Sequence, residues 1–246
     1  MISVCMTTYN GIAYIEQQLN SILNQLSSTD EVLIFDDKST DGTYEFLVNF
    51  SKVNSIVKVK KNPVNLGYVK NFEQAIYEAR GDIIYLSDQD DIWNEDKVKY
   101  ISEFFNDEMN SNVDILHHGM ETISSDGNLL DKTFNYVPPS FNQKNYYSKV
   151  LLTILKPKCY GCAMAFRKKI VPLIVPFPKQ VYSHDHWLNA FGVVSSNLYF
   201  DDKVLISYRQ HNNNLSPKKG LTFLQKIKIR TKFIKLLYLS YLRLKV

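Results

Sequence analysis

The 246-residue sequence contains no uninterrupted run of about 18 apolar residues, the length that suggests a membrane-spanning helix. Its first residues enter a strand-like pattern directly, without the basic, apolar and small-residue segments of a secretory signal. Three cysteines are too few for a disulfide framework, and the pair Cys159 and Cys162 lacks a second pair to complete a zinc site. We therefore expect a cytoplasmic protein with buried thiols.

Acidic residues are missing from residues 218–246, which hold nine of the 29 Lys and Arg residues. The preceding 217 residues hold 20 basic and 25 acidic residues, so the body is mildly acidic and the C-terminal segment is strongly basic. This distribution favours an anionic surface as a partner. No nucleic-acid reader motif accompanies the basic residues, so we expect no nucleic-acid partner.

The first half of the chain alternates short apolar runs with longer amphipathic ones. The predicted strands cover residues 2–7, 31–35, 55–61 and 82–86, and the predicted helices cover residues 12–26, 43–50, 68–79 and 95–105. This rhythm with short connections predicts an α/β protein whose central sheet is mostly parallel and carries helices on both faces.

Polar and acidic residues follow nearly every predicted strand of this half, in segments 7–10, 36–37, 62–63 and 87–91. Open sheets of this kind bind ligands beyond the carboxyl ends of their strands. The pattern therefore predicts a nucleotide site at this edge.

The second half is less regular. We predict strands at residues 113–118 and 163–166, a helix that starts near His184, and loops over the site within residues 124–147.

Two carboxylates follow the fourth predicted strand. Asp88 and Asp90 are two residues apart, so their side chains should leave on one side, whereas Asp91 should point the other way. Two oxygen ligands suit Mg²⁺ or Mn²⁺, which takes its remaining ligands from water and substrate phosphates. The alternative is an acidic turn in which Asp91 caps the following helix.

Two further acids, Asp36 and Asp37, end the second predicted strand. A carboxylate there can accept the N3 hydrogen of uracil or thymine, and Asp37 is our candidate. Asp36 could instead order the turn, and Asp41 suits a helix cap better than a ligand role.

Five segments together resemble the ordered signature of glycosyltransferase family 2, and they are VCMTTYN (4–10), FDDKSTDG (35–42), NLG (65–67), ARGD (79–82) and SDQDD (87–91). The resemblance is close over about residues 1–110 and looser to about residue 216. It implies the GT-A fold, with a donor-binding half at residues 1–110, an acceptor-binding half at 111–217 and a basic C-terminal helix at 218–246. It also implies metal-dependent, inverting transfer of a hexosyl or deoxyhexosyl group from a UDP- or dTDP-sugar, with Mn²⁺ or Mg²⁺ as cofactor.

The resemblance assigns roles to the donor residues. It implies that the base is held by three residues, one of which stacks on it: Thr7, Asp37 and the stacking Tyr9. Asn65 and Lys70 would lie near the ribose and diphosphate. Asp88 would contact the ribose or a metal-bound water, and Asp90 would bind the metal.

Asp185 matches the position at which this family keeps its catalytic carboxylate, at a helix start. The family often has two adjacent acids here, but this sequence has His184 in the first position. His184 and His186 therefore remain competing bases. The alternative is that Asp185 is a helix N-terminal charge favoured by the dipole.

The segment YRQH (208–211) is similar to a Tyr-Arg-x-His element of bacterial polysaccharide transferases. The similarity implies that His211 reaches the metal or the diphosphate and that Arg209 neutralises phosphate charge. A structural histidine is the alternative.

Helical spacing between residues 223 and 242 places eight apolar residues on one broad face, and they are Phe223, Leu224, Ile227, Ile234, Leu237, Tyr238, Tyr241 and Leu242. Lys228, Lys232 and Lys235 lie largely opposite. Such a helix can lie on an anionic membrane, and the resemblance implies a saccharide acceptor carried on a polyprenyl diphosphate. We therefore expect a peripheral protein on the inner face of the cell membrane. A helix packed on the body, or a dimer contact, is the alternative.

Two other functions compete with transfer. A catalytically inert nucleotide-sugar-binding scaffold would use the same fold. A nucleotidyltransferase should show a Gly-rich basic loop after its first strand, where this sequence has TTYNGI (7–12).

Overall fold

The computed structural model describes residues 1–134, 137–157, 159–212, 214 and 222–245. Within them the strands are β1 (Ile2–Thr8), β2 (Glu31–Asp36), β3 (Val57–Lys61), β4 (Ile83–Ser87), β5 (Ile92–Trp93), β6 (Ile115–Ser124), β7 (Leu129–Phe134), β8 (Met164–Arg167) and β9 (Leu198–Gln210). The α-helices are α1 (Ile15–Leu23), α2 (Thr43–Val53), α3 (Tyr68–Glu78), α4 (Lys97–Asn106), α5 (Tyr146–Leu155), α6 (Val171–Ile174), α7 (His184–Ser195) and α8 (Phe223–Leu244). Short 3₁₀ helices lie at Glu108–Asn110, Pro139–Phe141, Gly161–Ala163 and Lys168–Ile170.

The first half forms the predicted parallel sheet. Its strands lie in the order β3, β2, β1, β4, and every neighbouring pair is parallel. Nearly every residue of β1 and all of β2 are buried, as expected for strands covered on both faces. Helix α1 is shorter than predicted because Tyr14 and Leu26 donate to carbonyls three residues back, which are turn bonds and not α-helical bonds.

The second half continues the same sheet with mixed pairing, so the parallel character is confined to the first half and one later pair. β8 runs antiparallel to β4 and β6, β9 runs parallel to β6, and β5 runs antiparallel to β9. The prediction of loops across residues 124–147 was wrong in part, because β7 pairs antiparallel with β6 there. The exposed sequence of β7 has no apolar face that would mark it as a strand.

Apolar cores lie on both faces of the sheet, as predicted. One contains Phe72, Phe166 and Trp187, and the other contains Ile15 and Tyr85. Each such side chain, when buried, stabilises the fold by about 1.5–3 kcal/mol.

The C-terminal helix α8 packs against α7 through Phe233, Leu236 and Leu237. On this face of α8 the structure therefore agrees with the alternative prediction, a helix packed on the body of the protein. Of the eight residues predicted to share an apolar face, only Leu237 is buried, because packing uses a neighbouring stripe. Within the described ranges, no helix combines the length and apolar character needed to cross a bilayer.

Candidate active site

Acidic side chains from the two halves come together beyond the end of β4. Asp88 follows β4, and Asp185 lies in the first turn of α7. Burial, followed by the charges of Asp90 and Asp185, raises the pKa of Asp88 to about 7. The three carboxylates therefore share one electrostatic environment, and a cation there would relieve their repulsion.

The best candidate metal ligands are Asp90 and His211. The Asp90 Oδ2 lies 2.7 Å from the His211 Nε2, and both side chains are about nine-tenths buried. Cis ligands on a six-coordinate cation with bonds of about 2.1 Å lie roughly 3 Å apart. A carboxylate with an imidazole therefore fits Mn²⁺, and the carboxylate alone fits Mg²⁺. His211 also packs on the ring of Tyr14, with centroids 4.9 Å apart, which limits its rotation.

The diphosphate role predicted for Arg209 stays a prediction, and the structure shows what else this side chain binds. Its guanidinium is buried and all three nitrogens donate to protein oxygens. The Nε donates to the Asp90 carbonyl at 2.8 Å, Nη1 to the Ser125 carbonyl and Nη2 to the Gln17 side chain. Its physical role is to hold the acidic loop after β4, which positions Asp90.

Asp91 also differs from its prediction. Oxygens of Asp88 and Asp91 and the Cys162 sulfur all lie within 4.8 Å of one another, so Asp91 does not point away. Period-two alternation fails because β4 ends at Ser87 and the chain then turns. Asp91 accepts a hydrogen bond from the Arg209 backbone N–H at 3.0 Å and caps no helix.

A buried lysine beneath these acids escaped the sequence prediction. Lys97 donates to the Cys162 carbonyl at 2.9 Å and lies over the Trp93 ring. Burial lowers its pKa to about 7, while the carboxylates of Asp91 and Asp88 oppose that shift. No local pattern marks this lysine, since it lies in an ordinary amphipathic helix.

The predicted base-binding residues lie at the ends of β1 and β2. Thr7 is buried, whereas the Tyr9 side chain is half exposed and available for stacking. The Tyr9 backbone is fixed by Gln89, whose side chain accepts from its N–H and donates to its carbonyl. Gln89 lies between the two acids of the D-x-D segment, and it was not predicted as a contact.

Asp37 is held rigidly between β2 and α3. Its Oδ1 accepts from the Asn62 side chain and the Leu66 N–H, and its Oδ2 accepts from the Gly67 N–H at 2.8 Å. A carboxylate has about four acceptor positions, so Oδ2 keeps one for a ligand donor. The neighbouring Asp36 instead accepts hydrogen bonds from Thr8 and Ser39. These bonds fit the alternative in which Asp36 orders the turn after β2.

Asn65 and Lys70 lie around the start of α3. The Asn65 side chain accepts from the Gly67 N–H at 3.1 Å, and the Lys70 ammonium pairs with Glu73 at 2.6 Å. Gly67 has φ of +80°, a conformation that favours glycine and lets the chain enter the helix. Lys70 keeps an exposed side chain next to this turn.

Asp185 is held by residues at the start of its own helix. Its Oδ1 accepts from Ser183, from the His186 N–H at 2.7 Å and from the His186 Nδ1 at 3.1 Å. Burial raises the pKa of Asp185, but the hydrogen bond and charge of His186 outweigh burial and lower it below its usual range. Asp185 is therefore ionised at neutral pH.

The two histidines beside Asp185 differ in environment. The His184 ring stacks on Phe72 with centroids 3.9 Å apart, and a Cβ at Gly161 would collide with its Nε2. Burial lowers its pKa to about 4, so His184 is a neutral packing residue. For His186, burial acts to lower the pKa, but Cys159 and Asp185 raise it, so this ring is the cationic partner of Asp185.

Two further side chains surround Asp185 and were not predicted. The Cys159 sulfur lies within 4.8 Å of ligand atoms of Asp185 and His186. Tyr68 donates from its hydroxyl to the Tyr182 carbonyl, and the charges of Asp185 and Asp88 both act on it. Tyr68 directly follows Gly67, whose N–H donates to Asp37, so the start of α3 links the surroundings of Asp37 with those of Asp185.

Sequence comparison identifies relatives over most of the chain. The sequence model of the family described as Glycosyl transferase family 2 matches residues 3–172. A putative teichuronic acid biosynthesis glycosyltransferase, TuaG of Bacillus subtilis (strain 168), is 28% identical over 221 residues, covering 89% of this chain and 82% of that protein. The dTDP-rhamnosyl transferase RfbG of Shigella flexneri is 30% identical over 228 residues, covering 85% of this chain and 72% of that protein.

Solved structures share the GT-A fold. TarS 1–349 of S. aureus in complex with UDP-GlcNAc superposes with a TM-score of 0.68 at 20% identity, over 98% of this chain and 72% of that one. The mannosyltransferase PcManGT from Pyrobaculum calidifontis, in complex with GDP-Man and Mn²⁺, gives a TM-score of 0.61 at 18% identity, over 98% and 69%. At these identities the similarity concerns the fold.

Proposed function

Because the chain belongs to glycosyltransferase family 2, we propose that it moves a hexosyl or deoxyhexosyl group from a UDP- or dTDP-sugar to a hydroxyl of a saccharide acceptor, with inversion. The observation that carries this proposal is the common environment of Asp90, His211 and Asp185 around Asp88. It brings a cation-binding pair and an ionised carboxylate into one cleft.

Donor binding is assigned to the carboxyl ends of β1 and β2. Asp37 accepts the N3 hydrogen of the base on the free position of Oδ2, and Tyr9 stacks on the ring with its exposed side chain. Thr7 lies beneath, and Asn65 and Lys70 face the ribose and diphosphate. The rigid support of Asp37 favours this assignment, since a preorganised acceptor loses little entropy on binding.

Asp90 and His211 would hold a divalent cation, and Asp88 would contact the ribose or a cation-bound water. A bound Mn²⁺ or Mg²⁺ supplies Lewis-acid stabilisation for the negative charge that gathers on the departing diphosphate. Arg209 fixes the Asp90 loop, and its positive charge near the cation site helps to neutralise the diphosphate.

Asp185 is the general base. It accepts the proton of the acceptor hydroxyl as the oxygen forms a bond to the anomeric carbon and the bond from that carbon to the diphosphate oxygen breaks. The nucleoside diphosphate leaves from the opposite face, so one in-line step inverts the configuration. His186 keeps Asp185 ionised and oriented through the bond at Nδ1.

The acceptor is assigned to bacterial surface polysaccharide, carried on a polyprenyl diphosphate, and the protein to the inner face of the cell membrane. TuaG and RfbG, related over most of this chain, are described for teichuronic acid biosynthesis and dTDP-rhamnosyl transfer, which supports this class. The lysines of α8 and its exposed Phe223 and Leu224 support a membrane contact through that helix.

A panel of UDP- and dTDP-sugars tests the proposal, scored by thermal shift and by nucleotide release with Mn²⁺ or with a chelator. We expect one preferred donor that raises Tm and is consumed only with the metal and an acceptor present. An inert scaffold would raise Tm without releasing nucleotide under any of these conditions. That result would refute transfer while leaving nucleotide binding intact.

A further inference from the structure

Helix α5 exposes an apolar stripe to solvent. Tyr147, Leu151 and Leu155 are spaced four residues apart, so they share one face of the helix. Their exposures are 81%, 56% and 44%, and the adjacent Tyr146 and Leu152 are also exposed. Such a stripe normally packs on a core or a partner. This stripe is instead left open to solvent.

The first turns of α8 expose a second apolar group beside it. Phe223 and Leu224 are 73% and 76% exposed, and Ile227 is exposed as well. The Arg230 guanidinium in the next turn donates to the Leu155 carbonyl at 3.0 Å, which joins the end of α5 to α8. The two exposed groups therefore belong to adjacent elements, and we name α5 together with residues 222–230 the α5–α8 platform.

The charge of this region has one sign. Residues 142–157 and 222–245 contain no Asp or Glu. The basic residues of the platform and its flanks are Lys144, Lys149, Lys156, Lys226, Lys228, Arg230 and Lys232. Aromatic and aliphatic side chains among lysines, without acids, are the composition that binds the headgroup region of an anionic bilayer.

The same charge argues against a second copy as the occupant. A twofold dimer through this surface would place the same patch on both sides of the interface. Like charges would then face each other without an acid to compensate, which is unfavourable in a desolvated contact. An anionic lipid surface supplies the opposite charge and accepts the apolar groups at once.

We propose that the α5–α8 platform as a whole, and not the C-terminal helix alone, docks this protein on an anionic lipid bilayer. Helix α8 continues from the platform to the surroundings of the candidate base, because Phe233 contacts the His186 ring, with centroids 5.9 Å apart, and the Lys232 ammonium lies 5.0 Å from the Tyr182 ring. Docking would thus bring Asp185 near the membrane, a consequence that rests on the proposed function. The lipid contact itself does not depend on the proposed sugar transfer.

Full-length protein sedimented with vesicles of phosphatidylglycerol and phosphatidylcholine tests the platform. The double variant Tyr147→Glu/Leu151→Glu adds two negative charges to α5 while α8 stays intact. Each charge near the surface changes binding by about 1 kcal/mol, so we expect the apparent affinity to fall at least about 10-fold. The matched control Val53→Glu/Tyr77→Glu alters side chains that are 81% and 73% exposed in α2 and α3, and it should bind as the wild type does.

Two results would overturn the proposal. Wild-type vesicle binding by the α5 variant would mean that α8 alone makes the contact. A dimer in light scattering that dissociates in the α5 variant, with vesicle binding unchanged, would assign the surface to self-association. Nucleotide release with a soluble acceptor separates this test from the proposed function, because the α5 variant should keep that activity even where vesicle binding is lost.

Discussion

The two halves of the cleft hold their acids by different means. In the first half, Asp37 is fixed by backbone N–H groups at the start of α3 and by Asn62. In the second half, Asp185 accepts hydrogen bonds from the Ser183 side chain and from the backbone N–H and ring of His186, all within a single helix turn. The first arrangement suits binding, since it is rigid, and the second keeps the carboxylate ionised, which a proton acceptor requires. The comparison predicts that substitutions in the first half weaken donor binding and that substitutions in the second half slow the chemical step.

The largest effect is expected for Asp90→Asn. Asp90 belongs to the first half of the chain and contacts His211 of the second half. Losing the carboxylate removes a charged cation ligand and its hydrogen bond to His211, so both donor binding and turnover should suffer. We expect kcat/KM to fall about 10⁴-fold, equivalent to the several kcal/mol of Lewis-acid stabilisation. Nucleotide release at saturating Mn²⁺ measures it. Asp202→Asn, at an exposed acid on β9, should match the wild type.

The next largest effect is expected for Asp185→Asn. An amide cannot accept the proton, so kcat should fall about 10³-fold, within the range for a general base. The dissociation constant of the donor should stay within a few-fold of wild type, as measured by calorimetry without acceptor. A parallel loss of donor affinity would mean that the second half also binds the nucleotide, and the separation of roles would fail.

A smaller effect is expected for Asp37→Asn, and it should fall on donor affinity and not on kcat. An amide cannot accept from all the N–H donors that meet this carboxylate, and it bonds the base more weakly. We expect donor affinity to fall about 10- to 100-fold, the worth of a charged hydrogen bond, while kcat at saturating donor changes little. A variant that loses kcat without losing affinity would contradict the binding role.

The smallest effect concerns stability and His184. Its folded pKa of about 4 lies below the unfolded value of 6.5, so stability is complete above about pH 6.5 and is lost as pH falls towards 4. Between pH 7 and pH 5 the free energy of unfolding should drop by about 2 kcal/mol through this group. In urea unfolding, the free energy of unfolding of His184→Leu should fall between pH 7 and pH 5 by about 2 kcal/mol less than that of the wild type. An unchanged pH dependence would show that His184 is not held neutral by burial.

The parallel half could be predicted because its signals are local. Each strand of that half is a short apolar run, each helix is amphipathic, and the connections are too short for other topologies. β7 was missed because Leu129–Phe134 is exposed and carries no alternation. The antiparallel return of β8 depends on pairing between residues that are 80 to 84 positions apart, which no local pattern encodes.

The sequence indicated which residues belong to the candidate site more reliably than it indicated which groups those residues contact. The family resemblance implied that Asp90, His211 and Asp185 belong to one site. The structure places Asp90 beside His211, and the charges of Asp90 and Asp185 both act on Asp88. The orientation of Asp91 was not predictable, because alternation stops where β4 ends. The support that Arg209 gives to the Asp90 loop was not predictable, because the carbonyls around a buried guanidinium become known only in the folded chain.

Anomalous diffraction from crystals grown with Mn²⁺ and a nucleoside diphosphate tests the central claim most directly. The account predicts one strong manganese peak within coordination distance of Asp90 and His211, with the diphosphate on the side facing Asp185. A peak at Cys159, Asp185 and His186 instead, or a nucleotide bound away from Asp37, would contradict it.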